Sequence, residues 1–268
     1  EGQTIADFSS MGLGPFDCKI MKAEFDFRGA IAVVARLILD GNPLIGGRSA
    51  TNFDKDITGV SALFDTLKTS SVTELGLAKC RLGPGSLGKL AEYVREAEAV
   101  LTSINCLANQ FGEDDLATLL TAIEGTSVRS LCGLTEGQTT ADFSRQNLGP
   151  IDCKIIAAEF GFRGFIAAVA QLTLSGNKIT STARVDGKER FDQDVSGLTA
   201  LCESATGVVE LTLSDCSLGD AAMLILVPLI SSSVSVLSSL DLSHNTFGRR
   251  SGQRLTEAMK SDGCTLTI

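Results

Sequence analysis

The sequence predicts an α/β solenoid, with parallel strands on a concave face and helices on a convex one. Three observations predict it. Residues 1–42 align with residues 136–177 at a constant offset of 135, with 29 identities in 42 positions, so the chain is an internal duplication. Within each copy an eight-residue phrase of the form L-x-L-x-x-N/C-x-L recurs, and apolar residues at three- and four-residue spacing fill the intervals. Each strand, turn and helix leaves an apolar face that only a neighbouring unit covers, so the units must stack.

The phrases are LILDGNPL at 37, LGLAKCRL at 75, INCLANQF at 104, LTLSGNKI at 172, LTLSDCSL at 211 and LDLSHNTF at 240. ADFSSMGL at 6 and ADFSRQNL at 141 fit with Ala and Phe for Leu, and weaker strands, SLCGL at 130 and TLTI at 265, close the two copies. Successive strand starts are 31, 38, 29 and 27 residues apart in the first copy and 31, 39, 29 and 26 in the second. In L-x-L the two Leu face inward and the residue between them faces out. The Asn or Cys three places later turns inward where the strand ends, and its side chain bonds backbone groups that the turn leaves unpaired. GKLAEYVREA at 88–97 and EDDLATLLTAI at 113–123 are the clearest helices, and Glu113, Asp114 and Asp115 crowd the second one's start, where the helix dipole favours negative charge.

The pattern resembles the leucine-rich repeat in its long ribonuclease-inhibitor-like form, also seen in NOD-like receptors, and the resemblance covers essentially the whole chain. It implies a curved horseshoe whose concave strand face is the usual binding surface. Residues 1–268 are then expected to form a single solenoid of two cassettes, 1–135 and 136–268, cut from a longer array. Between SLCGL and TADFS too few residues remain for a helical return. The stack is expected to continue across this joint, the alternative being two lobes hinged near residues 134–139.

Composition narrows the partners. A formal charge of -9 and a pI near 4.7 argue against a nucleic-acid binder, which needs a basic face to displace counterions. Trp is absent and aromatic residues are 5%, so stacking platforms are scarce. The longest apolar run, AAMLILVPLI at 221–230, is half of the roughly 20 residues that a membrane span needs, so no direct membrane insertion is expected. The eight Cys lie singly with no CxxC. Cys80 and Cys216 fall at the Asn/Cys position, Cys106 at a Leu position, and Cys18 and Cys153 at matching helix places. Core thiols of this kind suit an intracellular, reducing compartment, cytoplasmic or organellar.

Three regions are candidate sites. The insertions at 43–59 and 178–197 lengthen the second unit of each cassette, and Arg184, Lys188, Glu189 and Arg190 make the second one a candidate docking loop. The plainer reading makes these solvated loops whose Asp56 and Asp194 cap the next helix. A cation held by Asp54 with Asp56, or Asp192 with Asp194, is weakly supported because the rest of a calcium loop is missing. The concave face offers Arg36, Glu74, Lys79, Asp142, Arg145, Glu210, Asp215, Asp241 and His244, with Asp7, Asp40 and Arg129 beside them. It lacks the aromatic anchors of tight interfaces, so a plain solvated sheet face is an equal alternative. On the helical outside, FDFRGAI at 25–31 and FGFRGFI at 160–166 mark a twice-repeated contact surface if Phe27 and Phe162 point out.

No phosphate loop, metal cluster or nucleophile constellation is present in the sequence, and the one His, His244, has no nucleophile assigned beside it. Neither catalysis nor a cofactor nor a metal is expected. The expected function is a non-enzymatic recognition or scaffold module that holds another protein. The alternatives are a permanently bound structural subunit of a larger complex and, by fold analogy alone, a regulator of a partner enzyme.

Overall fold

The computed structural model describes residues 4–27, 33–46, 53–98, 100–161, 164–186, 188–230, 236–262 and 264–268. The chain divides into two units, 1–133 and 134–268, each with its own parallel sheet. In the first, β1 (Ile5–Asp7), α1 (Pro15–Asp26), β2 (Arg36–Ile38), α2 (Thr58–Leu67), β3 (Glu74–Gly76), α3 (Pro84–Glu96), β4 (Ser103–Asn105) and α4 (Glu113–Ile123) alternate, and the strands pair in the order β1-β2-β3-β4. In the second come β5 (Thr140–Asp142), α5 (Pro150–Gly161), a 3-10 turn, β6 (Gln171–Thr173), a hairpin of β7 (Ala183–Val185) and β8 (Lys188–Arg190), and α6 (Ser196–Ser204). There follow β9 (Glu210–Thr212), α7 (Asp220–Ile230), β10 (Ser239–Asp241), α8 (Arg249–Asp262) and β11 (Thr265–Thr267). Its large sheet runs β11-β10-β9-β6-β5.

The period of the phrase sets the register. Ala6, Leu37, Leu75 and Ile104 lie side by side at the strand centres of the first unit, as do Ala141, Leu172, Leu211, Leu240 and Leu266 in the second. Two residues further on, Leu39, Leu77, Cys106, Phe143, Leu174, Leu213 and Leu242 are buried as well. A core of Leu beneath a parallel sheet, closed by returning helices, is the leucine-rich-repeat solenoid fold, and each unit has it.

Strands stop after three residues because the backbone then turns left-handed. The residue before the Asn/Cys position has positive φ in all eight phrases: Ser10, Gly41, Lys79, Ala108, Arg145, Gly176, Asp215 and His244, between 54° and 75°. Only Gly41 and Gly176 adopt this without strain. The next side chain satisfies the turn. Asn42 accepts the Leu13 N–H at 2.9 Å and donates to the carbonyls of Phe8 and Leu39, each at 2.8 Å. Asn177 accepts from Gln146 and Leu148 and donates to Phe143 and Leu174, and Asn109 and Asn245 make the equivalent bonds to the units before them. Between the Asn units stand Cys80 and Cys216, whose thiols donate to the carbonyls of Leu39 and Leu174 at 3.2 Å. From the second phrase of each cassette onward, each turn is thus tied to its predecessor by one polar side chain, buried in all but the half-buried Asn245.

Helix starts are built locally. Gly14, Gly112 and Gly149 each donate their N–H to the carboxylate three residues on, Asp17, Asp115 and Asp152, at 2.7–2.8 Å. Helix α4 occupies 113–123, the expected span, and the RLGPG turn leads into α3 at Pro84. Neighbouring helices approach closely at one glycine per unit. A Cβ on Gly59 or Gly197 would lie 2.1 Å from the carbonyl oxygen of Pro15 or Pro150.

Of the two weaker strands, TLTI forms β11, whereas residues 130–133 make only isolated bridges to β4, from Ser130 to Ser103 and from Cys132 to Asn105. Gly133 leaves that edge at a φ of 79°, which ends the pairing.

Candidate functional site

The second insertion folds into the β7–β8 hairpin, with Arg184 opposite Glu189 and Val185 opposite Lys188, so the expected loop is ordered strand. Glu189 and Arg190 are exposed. At its end Asp194 accepts the N–H and hydroxyl of Ser196, and Asp56 accepts the same pair from Thr58, so both carboxylates sit at the start of the following helix as expected. The Thr58 hydroxyl and amide hold the Asp56 carboxyl below the usual range.

Asp54 and Asp192 do something the sequence did not suggest. Each stands in left-handed backbone, at φ 49° and 55°, and reaches the helix of the next unit. Asp54 accepts the N–H groups of Gly83 at 3.1 Å, Gly85 at 2.6 Å and Ser86 at 3.2 Å, together with the Ser86 hydroxyl. Asp192 accepts from Gly219 at 3.0 Å and Ala222 at 2.9 Å. Free N–H groups and the positive end of the helix dipole make this a favourable seat for a carboxylate. These acids are cross-unit helix caps, and among the described residues no group of three or more His, Cys, Asp or Glu side chains is placed to hold a metal ion.

On the sheet face the candidate residues fall into three rows. Arg36 and Glu74 share the first outward row, where the Arg36 Nε lies 3.4 Å from Glu74 Oε2. In the second unit this row carries Gln171, which accepts from Thr140 and donates to Glu210 at 3.1 Å. Asp142 and Asp241 lie in the next row with Thr173 and Thr212, and each accepts the N–H two residues on. Ser144 holds the Asp142 carboxyl below its ordinary range, as Ser9 does for Asp7. Lys79, Arg145, Asp215 and His244 are all exposed and all occupy the left-handed turn position, a third row along one edge of each sheet. Arg129 is exposed and folds its guanidinium onto the carbonyls of Thr126 and Val128.

In the first unit these rows enclose a pocket. A cavity of about 90 Å³ opens on its sheet face between Arg36, Asp40, Glu74, Gly76, Ser103 and Gly133. It exists because three of these residues are small: a Cβ on Gly76 would lie 2.8 Å from Asp40 Oδ1, and one on Gly133 would lie 2.9 Å from Asn105 Cβ. Asp40 Oδ1 accepts the Ala78 N–H at 2.8 Å. Burial pushes the Asp40 carboxyl above its ordinary value, with Asp7 adding to the rise and Ala78, Arg36 and Lys79 opposing it.

Away from the sheet, α1 shows apolar side chains to solvent. Phe27 is 84% exposed, Phe16 71% and Ile20 48%. Phe25 is buried and Phe160 and Phe165 are half-buried, while Phe162 lies outside the described residues. Ile155, the second-cassette counterpart of Ile20, is 1% exposed. All eight Cys are free thiols and seven are buried, Cys18, Cys80, Cys106, Cys153 and Cys216 among them. Burial pushes the Cys18 thiol up to about 12 and the Cys216 thiol up to about 11, so neither is a thiolate nucleophile at neutral pH. Among the described residues no helix is long and apolar enough to cross a membrane.

No family model and no curated protein matches the sequence. Among solved structures the chain is similar to an internalin from Listeria monocytogenes, at 13% identity and a TM-score of 0.34, over 92% of this chain and 69% of that one. At that level the leucine-rich-repeat assignment rests on the parallel register, the turn asparagines and the returning helices.

Proposed function

We propose that the chain is a non-enzymatic recognition or scaffold module that holds another protein on its sheet face. One observation carries this reading: at the second and third strands the two cassettes keep their inward residues and change most of their outward ones, Glu74 and Glu210 excepted. Leu37, Leu39, Asn42, Leu75, Leu77 and Cys80 recur as Leu172, Leu174, Asn177, Leu211, Leu213 and Cys216, whereas Arg36, Ile38, Asp40, Gly76 and Lys79 become Gln171, Thr173, Ser175, Thr212 and Asp215. Packing constrains the first set; only an external contact distinguishes members of the second. The net charge of -9 favours a partner with a basic surface. Of the candidate residues, Arg36, Glu74, Lys79, Asp142, Arg145, Glu210, Asp215, Asp241 and His244 belong to this face, and the hairpin with Arg184, Lys188, Glu189 and Arg190 is an accessory contact. Long units alternating Asn and Cys at the turn favour the ribonuclease-inhibitor-like type, and buried free thiols favour a reducing compartment.

Affinity purification of the tagged chain from its native extract, with mass spectrometry, tests the reading. One stoichiometric partner is expected, released when Glu74→Lys and Glu210→Lys reverse charge on the sheet face. A partner indifferent to both changes overturns the assignment of the face. If that partner is an enzyme, assay of its turnover with and without the chain decides whether the module also regulates it.

A second reading is favoured by α1. Exposed Phe16, Ile20 and Phe27 suit a permanently bound structural subunit that packs by its helices, and Phe27→Asp, not a sheet-face change, would then release the complex. That the two cassettes form one array rests on their duplicated sequence, and small-angle scattering of the intact chain tests it.

A further inference from the structure

We infer that the pocket on the first unit's sheet face receives a single basic side chain, lysine or arginine, of a protein partner, and that the second unit has no equivalent. This rests on the sheet-face reading and adds the chemistry of one contact. A cavity of 90 Å³ that opens to solvent suits the tip of one side chain.

The walls decide the charge. Arg36 already faces Glu74, so its cation is engaged at 3.4 Å. Asp40 spends only Oδ1, on the Ala78 N–H, and a carboxylate offers about four acceptor sites. The lining holds two carboxylates, Asp40 and Glu74, and one cation, Arg36, and so carries one net negative charge. An incoming carboxylate would meet Asp40 with Arg36 already committed to Glu74, whereas an ammonium or guanidinium would donate to Asp40 and restore the balance. The raised Asp40 carboxyl agrees, because a half-buried acid that lacks a full counter-charge is stabilised by gaining one.

The duplication supplies an internal control. Where the first cassette has Arg36, Asp40, Gly76 and Gly133, the second has Gln171, Ser175, Thr212 and Ile268. There the Ser214 hydroxyl bonds Ser175 at 2.9 Å, so the counterpart of the acid is an internally satisfied hydroxyl. The acid is missing and Thr212 fills the gap that Gly76 leaves.

The test is an amide-resolved NMR titration of the whole chain with N-acetyl-lysine methylamide, the arginine analogue and the glutamate analogue. Both basic probes are expected to shift the amides of Gly76, Ala78, Ser103 and Gly133, and the acidic probe none of them. Asp40→Ser should weaken the shifts about tenfold or more, and Gly76→Thr should abolish them; a thermal melt of each variant confirms that it folds. Shifts with the glutamate probe, no shifts at saturating basic probe, shifts confined to the second unit, or an unweakened Asp40→Ser each overturn the inference. The captured partner separates the two levels. If Asp40→Ser and Gly76→Thr leave it bound while Glu74→Lys and Glu210→Lys release it, the face is right and the pocket wrong; if none of the four releases it, the sheet-face reading fails first.

Discussion

Leu37, Leu39, Leu75 and Leu77 of the first unit and Leu172, Leu174, Leu211 and Leu213 of the second are all buried, in the same register, behind faces that share Glu74 with Glu210 and Asp7 with Asp142 but differ at Arg36, Ile38, Asp40, Gly76 and Lys79. One face holds an Arg-Glu pair, a half-buried Asp and two glycines; the other is a lawn of Thr and Ser around Gln171 and Glu210. The difference teaches where each residue's constraint lies. A close-packed interior responds to a single methylene, so inward positions vary only among apolar residues, as Ile104 and Cys106 against Leu240 and Leu242 show. An outward position is limited only by its strand neighbours and by whatever touches it from outside.

The sharpest way to break this comparison is to attack the shared frame in both units. Asn42→Ala and Asn177→Ala should each cost about 3 kcal/mol, because each orphans three or more buried backbone groups. Urea denaturation measures it, and a loss confined to one unit would show that the frames are not equivalent. Gly59→Ala and Gly197→Ala come next, at about 1–3 kcal/mol, since a Cβ in either place meets a proline carbonyl that must move. Asp54→Ala and Asp192→Ala should each cost about 1 kcal/mol, the worth of a helix cap, read as a shift in the same urea midpoint. Smallest of all, exchanging the outward pair by Lys79→Asp or Asp215→Lys should alter stability by less than about 0.5 kcal/mol, both residues being exposed. A larger change there would mean that the faces contribute to folding and that their divergence is not free.

The shared frame was legible in the sequence because it is written in local periods. L-x-L gave the strands, the Asn/Cys position the turn ligands, and Glu113, Asp114 and Asp115 the start of α4. Asp56 and Asp194 were legible too, because a cap two residues from its partner is a local event. The hairpin has a local signal in Asp186-Gly187, a strong short-range hairpin dipeptide, which the density of charge around it obscures. What stayed hidden depends on distance along the chain. Asp54 meets residues about thirty positions away, from Gly83 to Ser86, and no period links them. The pocket is harder still, for it is made of side chains that are missing at Gly76 and Gly133, and only the strand register brings those gaps together with Asp40.

The caps of Asp54 and Asp192 also bear on how the units come apart. Stacked repeats unfold much like a row of coupled elements, in which each unit's loss depends on the strength of its two boundaries. Every boundary within a cassette has a turn asparagine or thiol and the sheet ladder, and between the third and fourth repeats of the second cassette Asp220 also accepts from Gly248 and Ser251 of the next helix start. Between the second and third units of each cassette a carboxylate additionally fastens the insertion to the neighbouring helix. Opening either repeat then exposes the other's helix terminus, so amide hydrogen exchange is expected to show the two as one cooperative block and the first repeat, whose α1 leaves Phe16 and Ile20 to solvent, as a separate and earlier opening.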